Sequence, residues 1–255
     1  MARIRPIGHE DRLSLVEHLD ELRSRLIIAL VAFGVAFGLC FWQDDLLLDI
    51  VNHPLPDGFK PITLSPTEPF VATITVAAYG AILIAMPVVL YEIYAFVLPA
   101  FSPGERRVAL PLLLMVPFLF IGGVVFGYFV ILKPALTFLL NFNDSDFNTQ
   151  IRARDYYSFV SLSLLSVGIL FQIPVGVLAL TRLGVTTPEQ LRRGRRYAIV
   201  GCAVLAAILP TIDPVTMLLE MVPLVVLYEA SILLAAAFGR PASDVGDTLA
   251  SAEGS

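Results

Sequence analysis

Between Val108 and Leu132 the chain carries no acid, base, amide or hydroxyl apart from the phenol of Tyr128. A run that long and that apolar suits the hydrocarbon of a bilayer, which needs roughly 20 residues of helix to cross. No water is available there, so a lone segment must satisfy its backbone N–H and C=O groups internally, and a helix does so. Similar blocks recur along the 255 residues, which are 57% hydrophobic and only 15% charged. Soluble domains carry nearer a quarter charged residues. The fold class expected is all-α, a polytopic membrane protein of six spans.

Span 1 is read as Leu26–Trp42, with Trp42 at an interface, where Trp favours the headgroup zone. Asp44–Pro69 reads as a long loop stiffened by Pro54, Pro56, Pro61, Pro66 and Pro69, with a short surface helix around Leu46–Val51. Span 2, Phe70–Phe101, is long and should kink at Pro87. Span 3, Val108–Leu132, follows the turn at Ser102–Glu105 and offers Gly122, Gly123 and Gly127 for close helix packing. Lys133–Arg154 reads as a second long loop. Span 4, Tyr156–Leu183, is long, contains Gln172 and Pro174, and should stop at Gly184. Thr187-Pro188-Glu189-Gln190 is a helix start with a Thr cap and Pro at the first position. Span 5 has only 13 residues from Tyr197 to Leu209. That is roughly 20 Å of helix against a hydrocarbon core of about 30 Å. Spans 5 and 6 (Val215–Phe238) are both read as short. Residues 1–238 form one transmembrane domain in this reading, and 239–255 a polar, disordered tail.

Six spans put both termini on one side. Thirteen of the 17 basic residues fall on that side, and only Lys60, Lys133, Arg152 and Arg154 fall opposite. The positive-inside rule makes the termini cytoplasmic. Cys40 and Cys202 are isolated and read as small apolar filler, and His9, His18 and His53 are scattered, so no metal or cofactor site is expected. No phosphate-binding glycine motif, nucleic-acid signature or Ser/His/Asp set occurs, so neither an enzyme nor a nucleic-acid partner is expected.

The polar segment before span 1, SLVEHLDELRSRL at Ser14–Leu26, combines a capping box (Ser14, Glu17) with an apolar stripe of Leu15, Leu19, Leu22 and Leu26. It reads as an amphipathic helix over 14–25 lying at the membrane surface. Glu17, Glu21 and Arg25 are four apart and can pair along its other face. Acids near or inside spans are the first place to look for function. Helix starts explain Glu17 and Glu105, but not Glu21. Gln172, Asp213, Glu220 and Glu229 lie within or beside spans, and Glu220 has no structural excuse, so it stays unassigned. From these alone a secondary transporter with a midplane acidic site is the alternative to a binding scaffold.

Five stretches carry a resemblance. They are HLDELRSRL (His18–Leu26), SPTEPF (Ser65–Phe70), PVVLYEIYAFVLPAFSPGERR (Pro87–Arg107), FQIPVGVLALTRLGVTTPEQLRRGRRYAIVG (Phe171–Gly201) and DPVTMLLEMVPLVVLYE (Asp213–Glu229). In this order and between six spans, the sequence resembles the TatC family, the multispanning receptor subunit of the twin-arginine protein translocase. The resemblance implies a concave, glove-like bundle in a bacterial or archaeal cytoplasmic membrane. It implies binding of twin-arginine signal peptides on folded cargo, single-span partners of the TatA and TatB kind, self-association in a receptor complex, and export driven by the proton-motive force. Matched by motif, Glu21 and Glu105 would bind the paired arginines, with Arg23, Phe96 and Pro99 beside them. Pro54 and Asp213 match an outer-loop proline and an acid opening span 6. Gln172 matches a polar position, Glu or Gln in the family, on the concave face where a partner helix or the signal lies.

Overall fold

The computed structural model describes residues 10–56, 58–97, 103–143, 146, 149–182, 184–208 and 214–238, without the side chains of 10–18, 97, 103–113 and 238. Among them every element is helical apart from one isolated bridge, Ile62 to Arg152. Five stretches are long and apolar enough to span a membrane: Leu19–Trp42, Glu68–Phe96, Leu114–Asn141, Ala153–Arg182 and Pro214–Ala237.

α1 runs unbroken from Glu10 to Trp42. The amphipathic segment is therefore the first part of the span-1 helix and not a separate helix lying flat, and Ser14 is one turn inside and not at its cap. Leu19, Leu22 and Leu26 of the expected stripe are exposed, as lipid-facing residues are. α2 (Asp44–Asn52) is the short helix expected in the first loop. α3 (Glu68–Val97) keeps Pro87 inside it.

The largest difference from the sequence reading lies at Lys133. α4 (Pro103–Phe126) passes through a π-helical turn (Gly127–Leu132) straight into α5 (Lys133–Asn141), so helix fills the first half of the expected second loop. Pro134 donates no N–H, and its ring crowds the carbonyl one turn back. The wider π turn just before it gives that ring room. Burial of Leu136 and Leu140 beside Tyr156 and Tyr157 supplies the reason to continue.

Span 4 is two helices, α6 (Ala153–Leu170) and α7 (Ile173–Arg182), parted by a turn at Phe171-Gln172 just before Pro174. Gly184 ends α7 as expected, with φ of +73°. Its N–H reaches Thr181 O at 3.2 Å and that of Val185 reaches Leu180 O at 3.0 Å, the paired bonds of a Schellman stop. The Thr187 cap of α8 (Pro188–Arg193) is also as read, with reciprocal bonds between Thr187 and Gln190. α9 (Arg195–Ile208) has 14 residues, the short length expected of span 5, and is not one of the five long apolar stretches. α10 (Pro214–Phe238) has 25, about 37 Å of helix, so span 6 is not short.

Small residues set the helix spacing. Ala36 and Cys40 of α1 meet Ala77, Ala81 and Ala85 of α3. α4 and α6 touch most closely where a Cβ on Gly168 would sit 2.6 Å from the Phe120 ring, and one on Gly123 would sit 2.8 Å from Phe171. Gly127 is in ordinary contact, but Gly122 faces open space, so it does not share the packing role expected of it. α10 packs against α7 and α9, which joins the second half of the chain to the first through α4 and α6.

Candidate functional site

One end of the bundle holds the start of α1 and the end of α3. There Arg25 stands between two carboxylates. Its Nε and Nη2 donate to Glu21 Oε1 at 3.1 and 2.6 Å, and its Nη1 donates to Glu92 Oε2 at 2.6 Å. The Glu21–Arg25 pair is the helical i,i+4 contact expected from the sequence. Glu92 comes from α3, 67 positions away, and was missed by sequence reasoning. The signal was present: it is a lone acid between Tyr91 and Ile93 in an apolar span, the criterion that singled out Glu220. Glu21 is 34% exposed, Arg25 23% and Glu92 14%, so the triad is reachable from the surface. Arg23 is exposed and Phe96 is half-buried one turn beyond Glu92. Glu105 lies in the first turn of α4, but its side chain is outside the described residues, as is the whole of Pro99.

The far end is tied differently. Glu68 opens α3 and is 5% exposed; its Oε1 accepts from Arg152 Nε at 2.7 Å and its Oε2 accepts from the Leu64 N–H at 2.7 Å. The hydrogen bond to Glu68 holds the Arg152 guanidinium above its ordinary range. Next to it, Ile62 N–H donates to Ile151 O and Ala153 N–H donates to Ile62 O, both at 2.8 Å. The last carbonyls of α2 have no partner inside that helix. Tyr156 donates to Val51 O at 2.6 Å and Tyr128 to Ile50 O at 2.7 Å. Pro54 is buried in the same loop. Below α2 opens an apolar recess of about 450 Å³ between α2, α3, the π turn and α6, lined by Val76, Leu83, Tyr128 and Leu164 among others.

The other polar candidates scatter. Gln172 sits in the α6–α7 turn, is 7% exposed, and donates from Nε2 to Val116 O of α4 at 3.3 Å. It therefore ties helices together and does not line the recess. Glu220 is 1% exposed and, with Ser163 and Thr216, lines a cavity of about 10 Å³ against the π turn. Glu229 pairs with Arg195 across α10 and α9 at 2.8 Å. Asp213 lies outside the described residues. Among the described residues no group of His, Cys, Asp and Glu is arranged to hold a metal.

The profile of the Sec-independent protein translocase protein (TatC) family matches residues 17–223. The chain belongs to the TatC family. The TatC protein of Aquifex aeolicus is 38% identical over 87% of this chain and 94% of its own length. A TatC of Koribacter versatilis is 34% identical over 86% of this chain and 84% of that protein. The chloroplastic TATC of Arabidopsis thaliana is 34% identical over 91% of this chain and 68% of that protein. A crystal structure described as the twin-arginine translocase receptor TatC in DDM superposes with a TM-score of 0.75. It is 38% identical and covers 88% of this chain and all of that one. The chain is thus a multi-pass membrane protein of Sec-independent, twin-arginine protein translocation, a translocase component of all-α fold, as the sequence motifs implied. Nothing in these likenesses favours the transporter reading.

Proposed function

We propose that this TatC chain binds twin-arginine signal peptides of folded cargo at the end of the bundle that carries its termini. That end faces the cytoplasm of a bacterial or archaeal cell, which the distribution of basic residues supports. Glu21 takes one arginine of the pair and Glu105 the other, with Arg23, Phe96 and Pro99 shaping the site. The single observation carrying this is that the Glu21 carboxylate, accessible at the surface, already accepts two N–H donors of a guanidinium. A carboxylate so placed suits arginine above lysine, because the planar fork delivers two donors at once. Each charge-assisted bond is worth about 1.5–3 kcal/mol, enough for two to discriminate a twin-arginine from a twin-lysine sequence.

Single-span partners of the TatA and TatB kind complete the machine, and copies of the chain self-associate in the receptor complex. The resemblance assigns partner contacts to Gln172, Asp213 and Pro54. The apolar recess under α2 has the lining that a signal's hydrophobic stretch needs. Changing Glu21 and Glu105 to Ala, singly and together, tests the reading through export of a folded reporter bearing a twin-arginine signal. The double variant is expected to lose export while still inserting in the membrane; normal export in it would refute the assignment.

A further inference from the structure

We infer that Arg25 is an internal stand-in for the ligand's arginine, and that Glu92 is the positioning residue that takes Arg25 over when a signal peptide arrives. The inference rests on the signal-peptide reading of Glu21 and adds how that site is set.

The triad's geometry carries it. In a full fork-to-fork pair, a guanidinium meets both oxygens of one carboxylate. Here Nε and Nη2 both converge on the same Glu21 oxygen, Oε1, while Nη1 turns to Glu92 at an equally short 2.6 Å. Two carboxylates share one guanidinium. A second guanidinium entering from the surface converts this sharing into two separate pairs: the ligand's arginine on Glu21, and Arg25 on Glu92. Exposure gives the order of exchange. Glu21, at 34%, is the outer carboxylate and Glu92, at 14%, the inner one. Arg25 therefore withdraws inward and needs only to shed its two bonds to Glu21. It lies one helical turn from Glu21 on α1, so a side-chain rotation suffices and no helix must move.

This arrangement also gives selectivity. An incoming group must displace the two-pronged hold of Arg25 on Glu21, and a lysine ammonium offers only a point charge for that. Without Glu92, Arg25 would have nowhere to go and would stay on Glu21. Without Arg25, Glu21 would accept any cation more readily.

The test is equilibrium binding of a fluorescent twin-arginine signal peptide, and its twin-lysine counterpart, to the full-length protein in lipid nanodiscs. Arg25→Gln is expected to bind the twin-arginine peptide about threefold to tenfold more tightly, the scale of one partly screened charge-assisted bond, and to narrow the gap between the two peptides. Glu92→Gln is expected to weaken binding by a similar factor. The double variant R25Q/E92Q should bind like R25Q, because Glu92 acts only through Arg25. Arg25→Lys keeps the charge and fold but loses the fork, and should also bind more tightly than wild type. Weaker binding in both R25Q and R25K would overturn the inference, as would a loss from E92Q that persists without Arg25. Glu21→Gln separates the two levels. If it binds as wild type does, the signal-peptide site itself is misassigned; if it loses binding while R25Q and R25K weaken it, only the exchange fails.

Discussion

The two ends of this bundle each hold a salt bridge between distant parts of the chain, and the two are built for different purposes. At the far end Glu68 is nearly fully buried and makes two short bonds, to the Arg152 side chain and to a backbone N–H, beside a two-bond backbone bridge and two tyrosine hydroxyls capping α2. Every group has its own partner, so a newcomer finds nothing to exchange with. At the terminal end one guanidinium is divided between two carboxylates that are partly exposed. The same chemistry is a fixed clasp in one place and a replaceable contact in the other. The number of partners and the burial of the acid decide which: Arg152 is itself 40% exposed, but Glu68 is 5% exposed and has its own two donors, whereas Glu21 and Glu92 share one cation.

The contrast rests on the rigidity of what joins the ends, and Gly168 tests that most severely. Gly168→Ala puts a Cβ at 2.6 Å from the Phe120 ring, which is itself 1% exposed and cannot swing aside. Overpacking of this kind is expected to cost about 1–3 kcal/mol, read as a lowered thermal midpoint in detergent at a fixed scan rate. A neutral result would mean α4 and α6 are looser than described, and the two ends need not be independent. A smaller loss is expected from Tyr156→Phe, which strands the Val51 carbonyl on α2 and should cost about 1 kcal/mol by the same assay. Tyr128→Phe should cost less, because its bond to Ile50 is exposed to solvent. Equal losses would show that the far end is held by the rings' packing alone.

How much of this was legible in the sequence follows a physical divide. Most signals contained in a few consecutive residues were read correctly, although the Ser14–Glu17 capping box was not, since α1 already begins at Glu10. The Thr187–Gln190 cap, the Gly184 stop, the short α2 and the Glu21–Arg25 pair all depend on neighbours within about one turn. The loop expected from Lys133 onward is helical over its first half, because nothing local announces a π turn ready to receive Pro134. Span 6 was read as short although Pro214–Phe238 crosses with length to spare. The missed contacts join distant positions: Arg25 with Glu92 and Glu68 with Arg152 are 67 and 84 apart, and Tyr156 with Val51 is 105 apart. No periodicity encodes such a pairing; it exists only once the helices are side by side. The family motifs contained both Glu68 and Glu92, which marks them as part of the frame without telling what each one holds.

If the terminal-end arginine is replaceable and the far-end arginine is not, a signal peptide can substitute for the first and not for the second. Arg25→Gln leaves Glu21 and Glu92 without their shared cation and should lower the thermal midpoint slightly, as loss of a partly exposed pair does. Arg152→Gln should lower it by loosening the far-end clasp. Saturating twin-arginine peptide is then expected to raise the midpoint of the Arg25→Gln protein by more than it raises wild type, because the ligand's guanidinium takes the vacated place. It should add to the Arg152→Gln protein only what it adds to wild type. Equal stabilisation of both variants, or the same rescue of Arg25→Gln by a twin-lysine peptide, would contradict the claim.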